Sequence, residues 1–215
     1  SNHGPPVQAI VNVQNLAMLL AWSFNRRFML EVSSNEQWSD LRAGGIDSGT
    51  AGAATARFQL IDTLNSSYAF QVRTTLPNQS LGEKLTNVAS SLAGWHDLTP
   101  IGFKRMGLYW HVQEETYVGP AKAGERRNDI TYALSLAKTW TQPDANVFRN
   151  FTTFLEGYAR TDLDGSHRGR TSLSLTPGVR TNLGNGHAII TGVELPLSHP
   201  RTYDATVRMV YIYNF

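Results

Sequence analysis

The stretch Tyr203-Asp204-Ala205-Thr206-Val207-Arg208-Met209-Val210-Tyr211-Ile212-Tyr213-Asn214-Phe215 closes the chain and decides how the rest is read. From Val207 onward an apolar residue stands at every second position: Val207, Met209, Tyr211, Tyr213 and Phe215. The alternate set, Thr206, Arg208, Val210, Ile212 and Asn214, is mixed. A period of two is that of a β-strand, whose successive side chains leave opposite faces. Termini fray unless something holds them. An aromatic strand at the very end therefore asks for an apolar surrounding.

The same period recurs upstream. Segments 15–24, 27–38, 52–63, 66–77, 84–97, 102–118, 128–141, 149–162, 170–183, 186–198 and 203–215 alternate, with turn residues between them. No helical stripe competes. Only 17% of the 215 residues are charged, against roughly 25% in a typical soluble domain. Mean hydropathy is −0.28, which an alternating barrel strand produces by averaging its two faces. The longest apolar run, Leu16 to Trp22, is far short of the roughly 18 residues of a membrane helix. With no cysteine, disulfides and thiolate metal sites are excluded. Net charge is +2 with charges scattered, so no basic patch points to nucleic acid. Ser1 to Pro6 has neither a basic nor an apolar leader region, as expected of a mature or truncated form of an exported chain.

The linkers fall into two classes. Asn25-Arg26, Thr63 to Ser66, Thr141 to Asn146 and Leu183 to Gly186 are tight. Trp38 to Thr50, Pro77 to Glu83, Gly119 to Asn128 and Asp162 to Arg170 are longer or richer in Gly and charge. The classes alternate along the chain, as periplasmic turns and extracellular loops do in outer-membrane barrels. The closing strand on Phe215 resembles the terminal strand of bacterial outer-membrane β-barrels, which the barrel-assembly machinery reads. The expected fold is all-β: an antiparallel up-and-down transmembrane β-barrel over residues 15–215 in the bacterial outer membrane. Eleven strands with the carboxy-terminus periplasmic put the start of 15–24 outside the cell. Bacterial single-chain barrels have even strand numbers, so twelve are expected, with ten or fourteen as alternatives. Residues 1–14 are an N-terminal segment or an abbreviated first strand, unless the missing strand lies upstream of Ser1.

Parity assigns the faces. Leu134 and Leu136, Leu155, and Leu173 and Leu175 are expected to touch lipid, together with Val207, Met209, Tyr211, Tyr213 and Phe215. Lys138 breaks the uncharged face near the expected periplasmic rim, where it can snorkel. To the interior the same parity sends Arg57, Arg73, Arg105, Arg160, Arg180 and Arg208. It also sends Glu31, Glu115, Asp129, Glu156, Asp162 and Glu194 there, a balanced lumen. Arg180 is expected to face Glu156 and Arg160, and Arg208 to pair with Glu194. Such charges either fill a narrow barrel as a salt-bridge lattice or line a conduction path.

The run Ser172 to Gly186, with Thr176-Pro177-Gly178-Val179-Arg180 and Asn185-Gly186, is distinctive. It is followed by Thr191-Gly192-Val193-Glu194-Leu195-Pro196 and the Tyr-Ile-Tyr-Asn-Phe ending, and preceded by Tyr68 to Pro77. Together these resemble the outer-membrane transporter family of the meta-cleavage pathway of phenol degradation. The resemblance covers about two-thirds of the chain and is strongest after Gly157. It implies a small barrel of roughly ten to fourteen strands that moves hydrophobic or aromatic compounds, with no catalytic residue. Pro177 and Pro196 are expected to mark bulges or kinks.

Catalytic chemistry is thinly represented. His96, His111, His167, His187 and His199 are the candidates, and His111 falls by parity on the inward face near Tyr109, Gln113 and Glu115. No motif supplies a nucleophile with its base. Asp162-Leu163-Asp164-Gly165 lacks the later ligands of a calcium loop. No metal and no cofactor are expected. The functional expectation is a passive channel for small, hydrophobic or aromatic compounds, with lipid and the assembly machinery as partners. The alternative is a closed structural barrel that holds a periplasmic or surface protein.

Overall fold

A computed structural model describes residues 10–41, 45–76, 86–119, 128–145, 148–165, 167–198 and 204–213. They form eleven strands: β1 (Ile10–Ser23), β2 (Phe28–Leu41), β3 (Gly45–Asp62), β4 (Ser66–Thr75), β5 (Thr86–Asp97), β6 (Met106–Val118), β7 (Asn128–Thr139), β8 (Arg149–Asp162), β9 (Thr171–Gly184), β10 (His187–Pro196) and β11 (Thr206–Tyr213). Each strand pairs antiparallel with its neighbours in chain order, giving one up-and-down sheet. Among the described residues there is one turn of 3-10 helix, Thr99–Ile101, and no α-helix. β1 pairs with β2 and β11 with β10, and no pairing joins β1 to β11 among the described residues.

The tight turns follow from local chemistry. After β1, the Asn25 side-chain oxygen accepts from the backbone N–H of Arg27 and Phe28 at 2.8 and 2.9 Å. After β3, the Thr63 hydroxyl accepts from the Ser66 N–H at 3.0 Å. Between β9 and β10, Asn185 and Gly186 take φ of 52° and 82°. Two positive values fit a type I′ hairpin, whose twist matches that of the strands and which favours Asn-Gly. These turns lie at one end of the sheet, hereafter the turn end. The β2–β3, β4–β5, β6–β7, β8–β9 and β10–β11 connections lie at the other, the loop end.

Several boundaries differ from expectation: β1 starts at Ile10, so residues 10–14 continue it rather than forming a separate first strand. Trp38 to Thr50 is not a loop: β2 runs on to Leu41 and β3 starts at Gly45, paired throughout. Backbone pairing needs no apolar side chain, so a polar, Gly-rich extension carries no alternating signal. β6 starts at Met106, not 102. The 3-10 turn, Gly102 at φ 99° and Arg105 at φ 57° occupy the interval. Arg105 therefore sits in an exposed turn. Residues 1–9, where most of an abbreviated first strand would fall, lie outside the described residues. Pro177 causes no bulge: Leu155 pairs with it in regular register. Pro196 simply ends β10.

The two faces of the sheet invert the usual rule. Small and polar residues are buried: Ala53, Thr55, Ala69, Ala89, Ser91, Thr131, Ser135 and Ala137. Large apolar residues are exposed on the opposite face, including Met18, Leu20, Trp22, Phe58, Leu92 and Tyr132. Leu134 is 56% exposed and Val207 75%. Glycine completes the buried face: Phe154 lies over Gly178, where a Cβ would stand 2.2 Å from the ring. Gly178 is directly opposite Gly192 on β10.

Candidate functional site

The charged residues converge on the buried face, in two groups. Near the loop end, Glu115, Asp129 and Asp162 stand directly opposite one another on β6, β7 and β8. Like charges in that relation repel. Arg160 offsets this: its Nη2 donates to Asp129 Oδ2 at 2.6 Å and to Tyr117 Oη at 2.9 Å. Glu115 Oε2 is 3.9 Å away. The Asp129 side chain is 0% exposed, so this contact is screened little by water.

Nearer the turn end, Arg208 forms an ion pair with Glu194, as expected. Glu156, opposite Thr176, is within electrostatic reach of both. Arg180 does not face Glu156. It is opposite Thr152, four residues nearer the turn end of β8, and Arg160 turns to β7 instead. Around the sheet, Arg57 donates to Gln71 Oε1 at 3.2 Å. Arg73 is opposite Thr55, and Glu31 is opposite Thr55 from the other side.

At the turn end of the same face a cavity of about 460 Å³ is lined by Trp95, Tyr109, Arg105, Arg180, Asn150 and Asn182, among others. Its floor includes Thr139 and Thr152, whose hydroxyls are 2.9 Å apart.

On the exposed face, Leu136, Leu155 and Leu173 accompany Leu134, and Met209 and Tyr211 accompany Val207. Leu175 is half-buried on this face. Tyr213 ends β11, its side chain outside the described ones, and Phe215 lies outside the described residues. The turn-end rim is aromatic with polar handles. Tyr68 Oη and Trp110 Nε1 reach His96 Nε2 at 3.2 and 3.4 Å. Trp140 Nε1 donates to Thr153 Oγ1 at 2.9 Å, and Lys138 donates to the Lys104 carbonyl. Tyr211 and His187 are hydrogen-bonded.

His111 stands between Ala93 and Ala133 in register, and half-buried. Asp164, in the Asp162-to-Gly165 turn, accepts from the backbone and side chain of Asn128 at 3.0 and 2.7 Å. Among the described residues no three His, Asp or Glu side chains are grouped to hold a metal. Sequence reasoning missed Tyr117, Trp95 and Gly107. It also passed over Glu114, which parity sends to the exposed face beside Glu115. No protein-family model matches the chain, and no curated protein matches it.

Proposed function

We propose that the chain is an outer-membrane β-barrel that lets small solutes cross passively along its buried face. The observation that carries this reading is the inversion of the two faces. A soluble monomer rarely exposes an apolar patch beyond a few hundred Å², whereas here the apolar face extends from β1 to β11. Eight of the eleven strands have 12 to 18 residues, beyond the roughly 9–11 that a tilted strand needs to cross a bilayer.

Two charges on the apolar face bracket a band. Glu114 is level with Ile130, and Lys138 with Met106. Between them β6 and β7 present Leu108, Trp110, Val112, Tyr132, Leu134 and Leu136. From Met106 to Glu114 is about 27 Å along the strand, or roughly 21 Å along the membrane normal at a 40° tilt. An outer-membrane apolar band is about 25 Å tall. The rim of Tyr68, Trp140 and Tyr211 suits the interfacial aromatic belt.

β1 and β11 run in the same direction, both toward the turn end. Antiparallel closure therefore needs a twelfth strand between them. With eleven or twelve strands tilted near 40°, the backbone wall is about 22–24 Å across. Small residues such as Ala53, Ala69, Ala89 and Ala137 line much of that wall, and the larger His111, Phe154 and Tyr158 that stand among them are too few to fill that width. This favours a path over a solid interior.

The second reading, a closed scaffolding barrel, is supported by the Arg160 cluster, which projects from three adjacent strands. Planar-bilayer recording separates the two. Discrete conductance steps are expected of the channel. A folded barrel that is silent and co-purifies with a protein partner would reject it for the scaffold. The resemblance to outer-membrane transporters of phenol degradation bears on the solute, and favours small apolar or aromatic compounds.

A further inference from the structure

We propose that the turn-end cavity binds a small aromatic carboxylate, its ring against Trp95 and Tyr109 and its carboxylate on Arg180 and Arg105. The inference rests on the channel reading for access, and adds a ligand class to it.

Both arginines leave the backbone at one level. The Arg105 carbonyl accepts from Thr139 N–H at 3.0 Å, Thr139 is opposite Thr152, and Thr152 is opposite Arg180. Three strand spacings, about 14 Å, separate the two backbones, a span that two extended arginine side chains can close. Neither guanidinium has a hydrogen bond or ion pair among the described residues. Asp97, the carboxylate of the lining, accepts from the Thr99 N–H at 2.9 Å through Oδ1. The lining thus carries two cations against one anion, and guanidinium forks match a carboxylate in geometry.

Two aromatic rings complete the lining. Trp95 and Tyr109 are directly opposite on β5 and β6, with centroids 6.4 Å apart and planes at 47°. Gly107 makes room for them: a Cβ there would stand 2.9 Å from Trp95 Nε1 and 3.3 Å from Tyr109 Cε2. A cavity of about 460 Å³ is within the roughly 300–1,000 Å³ range of small-molecule sites. The side chains of Asn150 and Asn182 in the lining are left to bond ring substituents or water.

The test is calorimetric titration of the full chain, folded in detergent, with benzoate and with benzyl alcohol. Benzoate is expected to bind more tightly than the alcohol, and to weaken as salt rises. Arg180→Gln should weaken benzoate about tenfold or more, the order of a lost charge-assisted hydrogen bond, while Arg180→Lys retains part of the affinity. Arg105→Gln serves as a second variant. Equal affinity for the two probes, or benzoate binding unchanged in both Gln variants, overturns the proposal. The titration needs no conductance. A silent barrel with Arg180-dependent binding rejects the channel but keeps the site, and a conducting barrel without that binding rejects the site alone.

Discussion

Replacing Arg160 with Met keeps most of the side-chain stem and removes the guanidinium. The variant loses the 2.6 Å bond to Asp129, the 2.9 Å bond to Tyr117 and the 3.9 Å approach to Glu115. Breaking a buried pair by removing one partner costs about 3–5 kcal/mol. Two features of the site adjust that range. The Arg160 side chain is 25% exposed, so water already weakens the pair and lowers the cost. Against this, Glu115 and Asp162 flank Asp129 on the adjacent strands, and without the cation these carboxylates repel one another. The expected loss is about 3 kcal/mol. Adding Asp129→Asn removes the most buried of the three charges and should recover about half of that loss. Equilibrium urea unfolding in lipid vesicles, followed by tryptophan fluorescence, reads both changes. An Arg160→Met variant within about 0.5 kcal/mol of the parent, as for an ordinary surface substitution, would refute the reasoning. So would a double variant no more stable than the single one.

Leu134→Arg places a charge in the middle of the uncharged band, and should cost about 2–4 kcal/mol of folding into bilayers; a variant that stays folded and soluble without detergent would contradict the lipid-facing assignment. Gly178→Val drives a Cβ into Phe154 and toward the Thr191 carbonyl, 2.7 Å away. A loss of about 1–3 kcal/mol is expected, and Phe154→Ala should relieve only part of it because the carbonyl is backbone. Reversing Glu194 to Arg should lower stability by roughly 0.2–1 kcal/mol, with partial recovery when Arg208→Glu is added. In an open pore the single reversal also shifts cation-to-anion selectivity, measured as a reversal potential across a salt gradient.

The strands were readable from the sequence because a two-residue period needs no tertiary information, and it set the faces as well. Leu134 and Leu136 against Ser135 and Ala137 is a local statement about one strand. Register between strands is not local. Arg180 misses Glu156 because the β8–β9 connection is a long loop whose length does not fix the register; once Thr161 pairs with Thr171, the ladder runs unshifted to Thr152 and Arg180. Arg208 and Glu194 were identified correctly because an offset of two residues between neighbouring strands still leaves long side chains within reach. The Arg160 cluster was hidden for the same reason as Arg180: three strands had to be aligned before Glu115, Asp129 and Asp162 fell in a row. Trp95 and Tyr109 became a wall only once Gly107 was seen beneath them. Arg105 was assigned to a strand on parity alone, without weighing Pro100 and Gly102, which favour a turn.

The central claim is that one face of this sheet meets lipid and the other does not. With no native cysteine, single cysteines can be placed at each position from 131 to 137 and spin-labelled without background. Collision with oxygen, which concentrates in lipid, and with a water-soluble nickel chelate is then measured in bilayers by paramagnetic resonance. The account predicts oxygen access peaking at 132, 134 and 136, with nickel access or immobilisation at 131, 133, 135 and 137. Nickel access at 134 and 136 equal to that at 133 and 135, with no two-residue period, would contradict it.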